Sequence, residues 1–274
     1  MGIVVRSSLE ANNANKNLAR TTRSLSRNFE KISSGLRIAR SADDAAGLGV
    51  AEGLKSLHRS ADVAARNIND GISVISVADG ATSEVGSILT RLRELSIQSM
   101  SETLATTERA YIDDEADQLV LEIDRIANVT EFNGISLTEG TNADLDVQVG
   151  VQNSANDIIT VTLGDLTSAT LTVNAIDLST AAGASTALDA IDAAIDTVSS
   201  YRSAYGAAEN RLGNALNNIE TFSEANKAAE SRIRDADFGI ETAALSQNQI
   251  LQQAGVSILS QAKNLNQSAL SLLQ

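Results

Sequence analysis

Residues 54–95 read LKSLHRSADVAARNINDGISVISVADGATSEVGSILTRLREL. The apolar positions step by threes and fours: Leu54, Leu57, Ala61, Ala64, Ile68, Ile72, Ile75 and Ala78, then Val85, Leu89, Leu92 and Leu95. Such steps return to one face of a helix. Nothing breaks the run, because the chain has no proline at all. An average composition of roughly 5% would supply about 14 in a chain of this length, and each would remove a backbone donor and clash with the preceding turn. The spacing predicts one amphipathic helix from about Ala45 to Ser99.

The same period continues on both sides. Tyr111, Ile112, Ala116, Leu119, Ile123 and Ile126 mark a second helix. Leu188, Ile191, Ile195, Val198, Leu212, Leu216 and Ile219 mark a third, from about Ala184 to Ala236. Long amphipathic helices joined through short connections pack as an antiparallel bundle. Between the second and third helices the period changes to two. Leu145, Val147, Val149 and Val151 alternate with polar or small residues, and Ile159, Val161 and Leu163 alternate with threonines. That alternation predicts half-buried strands, with Asn153–Asp157 as the turn and a further short strand near Leu171 and Val173. β elements are expected near 145–175.

Seven-residue repeats occupy the two ends. Val4, Ala11, Leu18, Leu25, Ile32 and Ala39 form one series; Ala244, Leu251, Ile258, Leu265 and Leu272 form the other. A sustained apolar heptad is a helical stripe that requires another helix, so the two ends are expected to meet and pair. A narrow seam buries little area, whereas ordering costs roughly 1–2 kcal/mol of backbone entropy per residue. The ends are therefore expected to order on association. The polar positions of the C-terminal series are amides and hydroxyls, which enter an interface without the cost of burying charge.

Charge is segregated. The net charge is −14, which argues against a nucleic-acid partner. Residues 1–40 nevertheless carry eight basic and two acidic side chains. Residues 126–201 carry ten acids and no base, and Lys263 is the single charge from Thr242 to Gln274. There is no cysteine, hence no disulfide framework or thiolate metal site. No stretch reaches 18 consecutive apolar residues, so no membrane partner is expected. The opening MGIVVRSSLEANN lacks the basic and apolar pattern of a cleaved secretory signal.

Catalytic chemistry finds little material. His58 is the single histidine. Asp43-Asp44 and Asp113-Asp114-Glu115 resemble carboxylate pairs, but acids near helix N-termini are the plainer reading, since the dipole favours them there. No cofactor, no metal and no enzymatic activity are expected.

Several longer motifs resemble bacterial flagellin in order and in detail. They are LSRNFEKISSGLRI at 25–38, SADDAAGL at 41–48, RLRELSIQ at 91–98, EFNG at 131–134, SRIRDADF at 231–238 and QILQQAG at 249–255. The match covers roughly 1–140 and 185–274. The resemblance implies a mainly α fold: a long antiparallel helical bundle and coiled coil with a small β-hairpin region, the termini paired as an inner coiled-coil domain. Residues 1–44 and 236–274 would be the halves of that inner domain, and 45–235 the rod-like bundle. About 45 residues separate the matching regions, which implies a short form without large outer domains.

The implied function is that of an extracellular filament subunit for swimming, a homopolymer of many copies exported through the flagellar export apparatus. The alternative is a hook–filament junction protein, which shares the terminal helices. Implied partners are an export chaperone on the C-terminal helix, and cap and junction proteins. The resemblance also implies recognition by an innate-immunity receptor, Toll-like receptor 5, with the matching positions at Arg91, Leu95, Gln98 and Glu115. Leu95 as a core residue and Arg91 as a solvated helix charge form the competing reading.

Overall fold

The computed structural model describes residues 9–271, and side chains from 11 to 262. Five helices carry the fold: α1 Leu9–Ser34, α2 Ala45–Ser99, α3 Thr106–Val129, α4 Ala181–Arg234 and α5 Phe238–Ser271. Four short strands lie between α3 and α4: β1 Glu131–Phe132, β2 Ile135–Ser136, β3 Asp144–Gln148 and β4 Ile158–Thr162. The chain divides into two compact units. One is formed by the two ends of the chain, through Leu57 and from Ala225 onward; the other is His58–Glu224.

Helix starts follow local chemistry. Asp44 accepts from the Gly47 amide at 2.9 Å at the head of α2. Glu108 accepts from the Ala105 amide at 2.7 Å, closing the first turn of α3. Thr180 does the same for Gly183 before α4, and Asp237 for Gly239 before α5. Each satisfies an amide that has no intrahelical partner.

The His58–Glu224 unit holds two apolar cores. In the first, Val85, Leu89, Leu92 and Leu95 of α2 meet Ile112, Ala116 and Ile123 of α3 and Ile191, Ala194 and Val198 of α4. In the second, Ala64, Ile68 and Ile75 of α2 meet Tyr205, Ala208 and Leu212 of α4. Val147, Ile159 and Val161 of the β3–β4 hairpin cover that pair. The hairpin is antiparallel, with Val147 opposite Ile159 and Leu145 opposite Val161. Its approach to α2 requires Gly71, where a Cβ would come within 2.9 Å of the Val147 side chain. The Tyr205 hydroxyl accepts from the buried Gly164 amide at 2.8 Å, and burial raises its pKa above the usual phenol value. A stretch of α2 reaches a mean hydropathy of 1.2, as in membrane spans; Ile75, Val85, Leu89 and Leu92 are buried in these cores, whereas Val63, Val77 and Ile97 of the same helix are exposed.

Two expectations are corrected. Residues 171–173 form no strand. Leu171 and Val173 are buried, but in an irregular segment where Thr172 has φ +57°, which no strand permits. Carboxylates tie that segment down: Asp124 accepts from the Ser168 amide and hydroxyl at 2.8 and 2.9 Å, and Asp113 from the Leu178 amide at 2.7 Å. Asp113 and Glu115 thus lie well inside α3, away from the N-terminal turn where acids were expected; Asp113 tethers this segment, and Glu115 pairs with Arg91 of α2.

Candidate assembly surface

The terminal unit pairs α1 with α5. Contacts at successive levels fix the pairing as antiparallel. Lys31 Nζ lies 3.2 Å from Glu241 Oε1. Asn28, its amide set by its neighbours, faces the Leu245 amide and the Asn248 side chain, each at 3.3 Å. Leu18 sits over Gly255, where an added Cβ would lie 3.2 Å from Leu18 Cδ1.

At the inner end of the pair the chain makes a short two-stranded link. α1 stops at Gly35, whose φ of +72° is left-handed and costs glycine nothing. Leu36 and Asp235 then form an antiparallel bridge. The Ala236 amide donates to the Gly35 carbonyl at 2.9 Å, and the Arg37 amide to the Arg234 carbonyl at 2.7 Å. Beside it, Arg234 meets Glu52 at 3.0 Å and Ile38 is buried.

Of the N-terminal heptad, Ala11, Leu18, Leu25 and Ile32 are half-buried along one face of α1. Ala14, Thr21 and Asn28 complete that face at the alternating heptad positions. Ala39 lies beyond the helix end that Gly35 sets, so it is not part of the stripe. Val4 falls outside the described residues. The C-terminal heptad is placed differently from expectation. Ala244 is half-buried, but Leu251 is 48% and Ile258 57% exposed. The half-buried face of α5 instead carries Glu241, Leu245, Asn248, Gln252, Gly255 and Leu259. Leu251 and Ile258 belong to a second stripe with Ile240, which is about two-thirds exposed. The side chain of Leu265 and all of Leu272 lie outside the described residues.

The receptor candidates divide as well. Arg91, Gln98 and Glu115 are exposed. Arg91 bridges α2 and α3, its guanidinium 2.8 Å from Glu115 and 3.1 Å from Glu94. Hydrogen bonds donated to Glu115 and then to Glu94 raise its already high pKa. Leu95 is 1% exposed, inside the first core, and is therefore removed from any contact surface.

Comparison with known proteins places this architecture. The bacterial flagellin N-terminal helical region matches residues 5–143, and the bacterial flagellin C-terminal helical region matches residues 188–273. The chain belongs to the bacterial flagellin family. A flagellin of Halalkalibacterium halodurans is 40% identical over 272 residues, 99% of this chain and 100% of that protein. A flagellin of Bacillus subtilis is 35% identical over 280 residues, 90% and 92% of the two chains. The crystal structure of Bacillus cereus flagellin superposes with a TM-score of 0.51 at 32% identity, over 56% of this chain and 88% of that one.

As a flagellin, the chain is a structural protein, a subunit of the filament of the bacterial flagellum, which lies outside the cell. A junction protein is not favoured, because both terminal regions match flagellin itself. Residues 144–187, between the two matches, hold the β3–β4 hairpin and the tethered segment, a short connection between the helical halves.

Proposed function

We propose that this flagellin polymerises by closing α1 on α5 and then covering the second apolar stripe of α5 with neighbouring copies. In this reading residues 1–44 and 236–274 are the halves of the inner coiled-coil domain, and 45–235 the rod-like bundle. The observation that carries it is the exposure of Leu251 and Ile258 on a helix with almost no charge. Leu265 and Leu272 continue the seven-residue spacing of Leu251 and Ile258 in the sequence, as Val4 does that of Ala11 and Leu18. Covering it gains about 25 cal/mol per Å² of apolar surface, against the entropy of ordering the helices. Because the contact joins unlike faces, it repeats along a helix without closing.

The test is Ile258→Asp. The variant is expected to form no filaments on seeds, by electron microscopy, while the His58–Glu224 unit keeps its helical circular dichroism. Normal filaments from the variant would overturn the reading.

The same stripe must be covered before assembly, which supports an export chaperone on α5. The export apparatus and the cap and junction proteins are the further partners of a chain delivered to a growing tip. No catalytic role is assigned to it. For the receptor, the supporting feature is the exposed Arg91–Glu115 bridge with Gln98 beside it. Arg91→Ala is expected to lower signalling in a Toll-like receptor 5 reporter assay; equal signalling from variant and wild type removes the idea.

A further inference from the structure

We infer that the outward face of α1 is a docking surface for carboxylates of a second copy of this chain. The inference rests on the polymer reading above and adds an electrostatic contact to it. Lys16, Arg20, Arg23 and Arg27 follow each other by four, three and four residues, which sets them on one helical face. Ala11, Leu18, Leu25 and Ile32, the face half-buried in the pair, lie on the opposite side. All four cations are exposed, and they line one open groove in two adjoining stretches. Arg20, Arg23 and Arg27, with Glu30 and Arg40, form one; Lys16, Arg20 and Arg23, with Asn13, form the other.

None of the four has a carboxylate partner among the described residues, and no acid lies between them along the chain. Elsewhere in the same unit Lys31 is paired with Glu241, Arg40 with Glu30 and Arg234 with Glu52. Among the described residues Lys16, Arg20, Arg23 and Arg27 meet no carboxylate; Arg23 donates only to the Ala19 carbonyl. Residues 11–29 contain these four cations and no acid, and 242–262 contain no charge. The terminal pair is therefore a cationic arm on a chain of net charge −14.

In a polymer such arms crowd together. Like charges separated by less than about 10 Å at 0.1 M salt repel with little screening, so bare arms oppose growth unless anions neutralise them. The chain itself is the richest source of those anions. Residues 126–201 carry ten acids and no base, and Asp144, Asp146, Asp189 and Asp196 are exposed there. Complementary patches of this kind guide and speed association between partners. A nucleic acid or an anionic membrane presents the same chemistry, but each is repelled by the rest of this acidic surface.

The test is seeded elongation of R20Q/R23Q/R27Q and of wild type at about 0.05 M and about 1 M NaCl, salt concentrations between which the Debye length shrinks to about 3 Å. The variant is expected to elongate about tenfold more slowly at low salt, the scale of lost steering, and to approach wild type at high salt. Seeds of D144N/D146N/D189N/D196N are expected to slow the addition of wild-type monomers in the same salt-dependent way. Equal elongation of the arginine variant and wild type at low salt overturns the inference. So does unchanged elongation together with wild-type binding to phosphatidylglycerol vesicles, which assigns the stripe to a membrane. Ile258→Asp separates the two levels: failure of the apolar stripe stops growth at every salt, whereas failure of the charged face appears only at low salt.

Discussion

The two compact units are both helical, yet they are held in different ways. In the His58–Glu224 unit, Ile68, Leu89, Leu92, Ile123, Ile191 and Leu212 are each fully buried between helices. In the α1–α5 pair, no described side chain of α1 or of α5 is buried; every one is half-buried or exposed. The first has the close-packed interior that makes a folded monomer. The second has a single seam, part of it polar, and leaves apolar residues such as Ile240, Ile250 and Ile258 in contact with water. Length and periodicity are similar in both, so neither decides which helices stand alone. The number of faces that find a partner within one chain decides it.

The comparison is broken most directly by shortening one apolar side chain on each side of it. Leu92→Ala is expected to cost about 2–5 kcal/mol of monomer stability in urea unfolding, through lost transfer energy and the cavity left behind. Leu18→Ala is expected to change the same monomer transition by less than about 0.5 kcal/mol, as for a surface site. Equal losses at the two positions would mean that the terminal pair is as firmly folded as the core.

A smaller effect sharpens the account of the tethered segment. Burial pushes the Asp165 carboxyl up, but hydrogen bonds from the Thr170 hydroxyl and from the amide and hydroxyl of Thr167 outweigh it and hold the pKa below the usual value. A depressed carboxyl adds stability that is complete above its unfolded pKa and fades as pH falls through the lower folded value. Monomer stability is therefore expected to fall on acidification below about pH 4, the ordinary carboxylate range. Asp165→Asn is expected to flatten that slope and to cost under about 1 kcal/mol at neutral pH, since the group is largely solvated and screened. An unaltered acid limb in the variant would show that other carboxylates carry it.

Most of the fold was legible because its helices are long and uninterrupted. The run from Leu54 to Leu95 announced α2, whose bounds, Ala45–Ser99, are those the spacing predicts. The alternation around Val147 and Val161 announced the β3–β4 hairpin. The β1–β2 hairpin was not legible, since its strands are two residues each and too short for a period. Its signal is Asn133-Gly134, both at positive φ, the pair that a two-residue hairpin turn requires. Leu171 and Val173 misled because burial, not pairing, selects apolar residues there.

The candidate site was half legible. In α1 the apolar heptad is the face that pairs. In α5 the apolar heptad turns outward, because the face opposite α1 is chosen by fit rather than by hydrophobicity. Leu18 needs Gly255 beneath it, and Asn28 needs Asn248. A search for large apolar residues passes over both. Leu95 shows the converse: a motif shared with relatives marks a position without saying whether it faces water or core.

The antiparallel pairing of α1 and α5 has a consequence for biosynthesis. Its two partners come from opposite extremes of the polypeptide, so α1 leaves the ribosome with nothing to close on until Phe238–Ser271 has been made. A prematurely terminated chain can form its buried cores and still lack the arm that joins a filament. The pair can therefore close only in a chain made through to its last helix.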